Sequence, residues 1–158
     1  MTSALARDLI ELLGHDAVSE DPADQSAYAH DVWPRQLIAT RGGLRRPAGP
    51  LAIVWPRDTE QLAALVTFAR SRGVRLTPYG AGSGVTGGLA LERDVVAVDM
   101  KRMRKVHSVD PARGVAVADA GILGEHLEQQ LQRRGATLGH FPSSIYCSTL
   151  GGWIATRG

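Results

Sequence analysis

Residues 78–88, Pro-Tyr-Gly-Ala-Gly-Ser-Gly-Val-Thr-Gly-Gly, are the stretch of this chain whose types and spacing point most directly to chemistry. Glycine accepts positive φ and carries no Cβ to hold a ligand away. Such a loop can turn several successive N–H groups into one concavity, which is an anion site of the size a pyrophosphate needs. Ser83 and Thr86 add hydroxyl donors. The loop holds no Lys or Arg, so within it charge matching falls to backbone dipoles. The competing reading is a flexible surface hairpin, and the glycine pattern alone does not separate the two.

Gly82, Gly84 and Gly87 have the spacing of the dinucleotide fingerprint, which also requires a preceding strand and a helix opening on the last glycine. Residues 74–77 supply the strand. No helix follows, because residues 89–93 lead almost at once into the apolar run 95–99, which reads as another strand. A Walker loop is excluded, since no Gly-Lys-Ser/Thr follows.

The elements that must position this loop come next. Ser3 or Thr2 caps a first helix with Leu5, Leu9, Leu12 and Leu13 on one face and Gly14 as its stop. Residues 19–30 are polar and suit a short helical turn, broken by Asp31-Val32-Trp33-Pro34. Residues 41–50, with Arg41, Arg45 and Arg46, read as a solvated connecting loop. Residues 51–55 are continuously apolar up to Pro56, as a buried strand would be. Asp58 caps the next helix, with Gln61 completing part of a capping box. Leu62, Leu65, Val66 and Ala69 form its apolar face and Gly73 ends it. Strand, helix and strand make a parallel βαβ unit, and the glycine loop leaves its second strand at the carboxyl end, where open α/β sheets bind ligands.

Beyond Met103 the pattern changes. Residues 106–109 and 115–118 alternate, and Asp110-Pro111-Ala112-Arg113-Gly114 between them has turn chemistry, so a hairpin is expected. Residues 121–134 form a helix with Leu123, Leu127 and Leu131 in line, stopped by Gly135, and residues 136–138 add a strand. A second constellation closes the chain: His140-Phe141-Pro142-Ser143-Ser144, then Cys147-Ser148-Thr149-Leu150-Gly151-Gly152-Trp153. Ser143 or Ser144 is placed to cap a helical turn whose free N–H groups face a ligand. A polar turn leading into a tightly packed helix explains the same residues.

Composition bounds these readings. The 158 residues, 44% hydrophobic and 22% charged, suit one globular domain or part of a larger one. A net charge of +2 gives no reason to expect nucleic acid, and 5% aromatic residues give little for base stacking. The single cysteine, Cys147, excludes an internal disulfide and a cysteine-rich zinc site, and no metal is expected. Arg7, Asp8 and Glu11 interrupt the first apolar segment, so neither a signal peptide nor a membrane span is expected and the cytoplasm is the default location.

Taken together, the two constellations resemble a known family. Residues 78–88 look like the phosphate loop of vanillyl-alcohol oxidase or PCMH-type flavoproteins. Pro142-Ser143-Ser144 with Ser148-Thr149-Leu150-Gly151-Gly152 looks like their second flavin-contacting segment, and Asp119-Ala120-Gly121-Ile122 looks like the turn between. The resemblance implies an α+β PCMH-type FAD-binding domain over residues 46–158, after an N-terminal helical extension and loop over 1–45. It implies a small parallel βαβ subdomain, then, from near residue 103, a second subdomain of mainly antiparallel strands with helices, incomplete at its C-terminus. Pro78, Tyr79, Gly80, Ala81, Gly82, Ser83 and Gly84 would hold the pyrophosphate, with Val85 and Thr86 beside them. Pro142, Ser143, Ser144, Ser148, Thr149, Gly152 and Thr156 would lie along the flavin. No His stands in the glycine loop, so FAD is expected to bind non-covalently.

Within the family, residues 137–140 and 148–157 look like alkylglycerone-phosphate synthases, whereas Ser143 is nearer to glycolate oxidase subunits and D-lactate dehydrogenases. The leading expectation is the FAD-binding portion of an oxidoreductase acting on a 2-hydroxy acid or similar CH–OH substrate. The alternatives are a synthase-like transferase, in which flavin works without net redox change, and a truncated module without catalysis. Catalytic residues and the main substrate contacts are expected in sequence beyond residue 158. His107, His126 and His140 are expected to be structural, and Cys147 a small buried residue rather than a nucleophile.

Overall fold

The computed structural model describes residues 2–157 except 44–47, 90, 92 and 93. The Arg45 and Arg46 part of the basic run, and the middle of the connection from the glycine loop to the next strand, lie outside the described residues. The elements are α1 (Ala4–Leu13), β1 (Val18–Ser19), α2 (Pro22–Ala27), α3 (Pro34–Arg41), β2 (Ala52–Val54), α4 (Thr59–Arg72), β3 (Arg75–Tyr79), β4 (Val95–Asp99), β5 (Val106–Asp110), β6 (Val115–Ala118), α5 (Gly124–Gln132) and α6 (Leu150–Thr156).

Caps set the boundaries of the first helices. The Ser3 hydroxyl accepts from the Ala6 N–H at 3.1 Å and starts α1. The Asp58 carboxylate accepts from the Gln61 N–H at 2.8 Å, and the Gln61 side chain accepts from the Arg57 N–H at 2.9 Å. Gly73 ends α4 at φ 65°, a left-handed position that costs a glycine little. The buried face of α4 is Leu65 and Ala69 with Leu62 and Phe68 packed beside them. Val66, expected on that face, is 52% exposed, because the stripe turns toward Phe68 instead.

Four strands form one sheet in the order β1-β2-β4-β3. β2 and β3 each pair in parallel with β4, through Ile53↔Ala97 and Thr77↔Ala97. The βαβ unit read from the sequence is therefore split, with β4 between its two strands. The burial pattern gives the reason. All five residues of β4 are buried, so it needs neighbours on both edges, whereas β3 carries Pro78, which an edge strand tolerates. Alternation then sorts the core. Val96, Val98, Ala52 and Val54 meet Leu9, Leu13 and Leu65 on one side, and Val95, Ala97 and Ile53 meet Tyr79 and Leu91 on the other. β1 adds an antiparallel edge through Val18↔Val54, and α1 packs in the same cluster as α4.

Two sequence expectations change here, and one helix was not foreseen. The break at residues 31–33 separates α2 from α3, and Pro34 opens α3 at its first position, where its missing N–H costs nothing. Residues 136–138 form no strand. The Thr137 hydroxyl and the Leu138 N–H instead donate to the Glu128 carboxylate at 2.7 and 3.1 Å, which takes that backbone away from any ladder. The helix expected over 121–134 is shorter, Gly124–Gln132, because the residues before it make the isolated bridge Leu123↔Thr149. The expected hairpin forms as β5–β6, with a register shift between Val106 and Ser108. The Asp110 carboxylate accepts from the Arg113 N–H at 3.0 Å in its turn.

Candidate functional site

The glycine loop emerges at the carboxyl end of β3. Pro78 and Tyr79 belong to the strand, and the irregular backbone starts at Gly80. Residues 29–32 run beside the loop and hold it. The Val32 N–H donates to Gly84 O at 3.0 Å, the Asp31 N–H to Leu89 O at 3.2 Å, and the Leu91 N–H to Ala29 O at 2.9 Å. Gly82 and Gly87 have φ of 68° and 78°, the left-handed conformation that motivates glycine there.

The absent side chains have a further role. A Cβ on Gly82 would strike the Tyr79 hydroxyl, one on Gly84 would sit 3.0 Å from an Asp31 carboxylate oxygen, and one on Gly87 would sit 2.7 Å from the Trp33 ring. The loop is thus seated on its own protein, and glycine is needed for that seat as much as for the approach of a ligand. Its donors tell the other half. From Ala81 to Gly88 no backbone N–H donates to any described residue. A run of unpaired amides, with Ser83 half-buried and Thr86 exposed among them, is what an anion-binding loop requires.

A polar network lies behind the loop. Asp99 ends β4 and is completely buried. Its carboxylate accepts from the Tyr28 hydroxyl, from Trp55 Nε1 at 3.2 Å, from the Lys101 N–H at 2.8 Å and from Lys101 Nζ at 2.6 Å. The same ammonium donates to Gly80 O at 2.9 Å. Burial, then the hydrogen bond and charge of Asp99, push the Tyr28 phenol far above its ordinary range, so it stays a neutral donor. Burial and the charges of Asp99 and Asp31 likewise raise Tyr79. Tyr28, Trp55, Arg57, Asp99, Lys101 and Arg102 line part of a cleft of about 620 Å3 at this end of the sheet. The sequence reading missed this network. Its one legible signal was a carboxylate closing a wholly apolar strand.

The second segment is stitched to the turn before α5. The Gly124 N–H donates to Ser148 O, the Leu150 N–H to Ile122 O and the Gly151 N–H to Ala120 O, at 3.0, 3.0 and 2.8 Å. Residues 143–147 form turns, and Thr149, not Ser143 or Ser144, caps the helix that follows, its hydroxyl accepting from the Gly152 N–H at 3.3 Å. Ser148 is buried; its hydroxyl donates to Ser144 O at 2.7 Å and accepts from Trp153 Nε1 at 2.7 Å. Pro142 and Ser144 are half-buried, and Ser143 and Thr156 are exposed, with the Thr156 hydroxyl donating to Gly152 O at 2.9 Å. The two constellations meet at one point: a Cβ on Gly80 would lie 2.6 Å from the Thr149 hydroxyl oxygen.

Residues 50–158 match the family described as FAD binding domain. The chain belongs to that family. Its cofactor is FAD, and its α+β architecture is the PCMH-type fold. The alkyldihydroxyacetonephosphate synthase of Trypanosoma brucei brucei is 38% identical over 156 residues, taking in 89% of this chain and 24% of that protein. A solved structure of an alkyldihydroxyacetonephosphate synthase has a TM-score of 0.89 and 35% identity, covering 100% of this chain and 32% of that one. Glycolate oxidase subunit GlcD of Bacillus subtilis (strain 168) is 22% identical over 154 residues, covering 98% of this chain and 31% of that protein. The chain therefore spans about a quarter to a third of the length of these relatives.

The FAD-binding domain's remaining candidates fall outside this meeting point. His107 lies exposed on β5, its Nε2 paired with Asp119 at 2.7 Å, and His126 is exposed on α5. Asp119 is pushed up by burial but held below the ordinary carboxylate range by the hydrogen bonds of His107 and the Lys105 N–H. The His140 ring packs edge-on against Trp153, 4.9 Å between centroids. Cys147, the last residue of the 143–147 turns, is exposed, contrary to the buried position expected. Among the described residues no group of three or more His, Cys, Asp or Glu gathers as a metal site, and no helix is long and apolar enough to cross a membrane.

Proposed function

We propose that this chain holds the FAD of a flavoenzyme of the alkyldihydroxyacetonephosphate synthase type, with residues 78–84 taking the pyrophosphate, Val85 and Thr86 beside them, and residues 142–149, Gly152 and Thr156 along the flavin. The observation that carries the FAD reading is the run of amides from Ala81 to Gly88 that donate to no described residue, brought to the second segment at Gly80 and Thr149. Bound FAD supplies electron-accepting chemistry at its ring; this chain's own groups bind and orient it. Ser83 and Thr86 add hydroxyl donors to the loop amides. Thr149 and Ser148 already serve the protein's own packing, so their share in the site is to fix the backbone of the second segment. Binding is proposed to be non-covalent, supported by the absence of His within 78–88.

The synthase reading is supported by 38% identity to one such enzyme against 22% to a glycolate oxidase subunit. Oxidation of a 2-hydroxy acid is the second reading, favoured by Ser143 in the Pro-Ser-Ser motif. A unit boundary near residue 103, with residues 1–45 as an extension, is part of the proposal and is supported by the change of sheet between β4 and β5. A cytoplasmic setting is proposed from the single cysteine.

The test uses the longest native form of the protein. It should purify with a flavin that denaturant releases as FAD. A folded, colourless protein that ignores added FAD would refute the proposal. Formation of an alkyldihydroxyacetone phosphate without lasting bleaching of the flavin supports the synthase reading. Anaerobic bleaching by glycolate or D-lactate supports the second.

A further inference from the structure

The glycine loop contains no basic residue, yet an ammonium touches it. Lys101 Nζ donates to Gly80 O at 2.9 Å and to the Asp99 carboxylate at 2.6 Å. It lies 5.5 Å from the centroid of the Tyr28 ring and 5.2 Å from that of Tyr79, within cation–π range. Asp99 is fixed in turn by Tyr28 and Trp55. An ammonium has three donors, and two are occupied here. The side chain is 36% exposed, and its charge is matched by the buried Asp99 carboxylate.

The peptide plane converts this contact into an orientation. No peptide bond in the described chain is cis. In a trans peptide the carbonyl of one residue and the N–H of the next point in opposite directions. A Gly80 carbonyl held toward Lys101 therefore aims the Ala81 N–H away from it, and Ala81 is the first of the amides that donate to no described residue. Gly80 also lies close to the second segment: a Cβ on it would sit 2.6 Å from the Thr149 hydroxyl oxygen.

We infer that Lys101 is the positioning residue of the glycine loop: its ammonium, anchored on Asp99, sets the Gly80–Ala81 peptide so that the Ala81 N–H is turned toward the side a pyrophosphate would take. The inference rests on the FAD reading for its ligand, but not for the clamp itself.

The test compares wild type, Lys101→Met, Lys101→Arg and the double variant Asp99→Asn with Lys101→Met, the last removing the buried carboxylate that the single variant would strand. Two readouts are taken. In the apoprotein, hydrogen exchange of the Asp31, Val32 and Leu91 amides, whose hydrogen bonds hold the loop, should rise at least about fivefold in both Met variants and stay near wild type in Lys101→Arg. FAD affinity should fall about tenfold or more in both Met variants and be largely restored by Arg. Unchanged exchange of the Asp31, Val32 and Leu91 amides in Lys101→Met would refute the clamp. Wild-type FAD affinity in the double variant would reduce Lys101 to a partner of Asp99 and overturn the inference while leaving the FAD reading intact. A wild type that binds no FAD would instead overturn the ligand reading and with it the role toward a pyrophosphate.

Discussion

The sheet β1–β4 and the hairpin β5–β6 are built from similar apolar, β-branched sequences but solve burial differently. Every residue of β4 is buried, and its two faces feed separate clusters, one under α1 and α4 and one against Tyr79 and Leu91. The hairpin offers one covered face. Val106, Val109 and Ala118 pack on Ile122, Leu127 and Leu131, while Val115 and Val117 are 53% and 51% exposed. Two strands with a single small cluster are marginal on their own, whereas a four-stranded sheet covered on both sides is not. The glycine loop grows from the better-packed region and the second segment from the lesser one. Their contact at Gly80 and Thr149 is therefore only as firm as the join between the regions.

That join is where the comparison breaks most easily. The Gly121 N–H donates to Met103 O at 3.0 Å, and a Cβ on Gly121 would collide with the Met100 carbonyl. Backbone meets backbone, so no side chain can yield. Gly121→Val should cost about 3 kcal/mol or more in urea unfolding, or uncouple the two regions into separate transitions. A single unfolding transition at the wild-type midpoint would show that the regions do not depend on this seat. The next test measures the regions against each other. Leu65 is fully buried, and Leu65→Ala should cost about 2–5 kcal/mol, whereas Val117→Ala should stay within about 0.5 kcal/mol. Equal costs would mean that the exposed hairpin face is covered in solution.

How much of this was legible depended on whether the signal was local. The caps at Ser3 and Asp58, the stop at Gly73 and the apolar runs of β2 and β4 are contiguous, and each was readable. β1 is two residues long and exists only because β2 offers an edge, so no periodicity could announce it. α3 has no apolar stripe, and Ile38 on it is 70% exposed. The place of β4 between β2 and β3 was hidden for another reason: alternation tells which residues are inside, not which strand lies alongside. At the site, both glycine-rich motifs were visible as composition. The Lys101–Asp99 network was not, because Tyr28, Trp55, Asp99 and Lys101 are scattered over more than seventy residues and only the sheet order gathers them.

The two regions also differ in how they keep a carboxylate inside, and this gives the smallest and most specific test. Asp99 is matched by an ammonium, but Glu128, 6% exposed on α5, is held by neutral donors: Gln132 Nε2 at 2.9 Å, the Thr137 hydroxyl at 2.7 Å and the Leu138 N–H at 3.1 Å. Burial alone would raise its pKa. The hydrogen bonds outweigh burial, and the group titrates below its ordinary 4.5. A carboxylate whose folded pKa is depressed stabilises the fold above its unfolded pKa, and that stability is lost as pH falls through the folded value. Glu128→Gln should therefore be less stable than wild type by about 1–2 kcal/mol at pH 7, since hydrogen bonds to a charged acceptor are weakened to neutral ones. The gap should hold down to about pH 5 and close on further acidification. The segment that Glu128 ties down leads directly to His140 and Pro142, so exchange of the 136–139 amides should rise in the same variant while that of β4 stays unchanged. A gap that persists undiminished at pH 3 would mean that Glu128 stabilises α5 by packing and not by its charge.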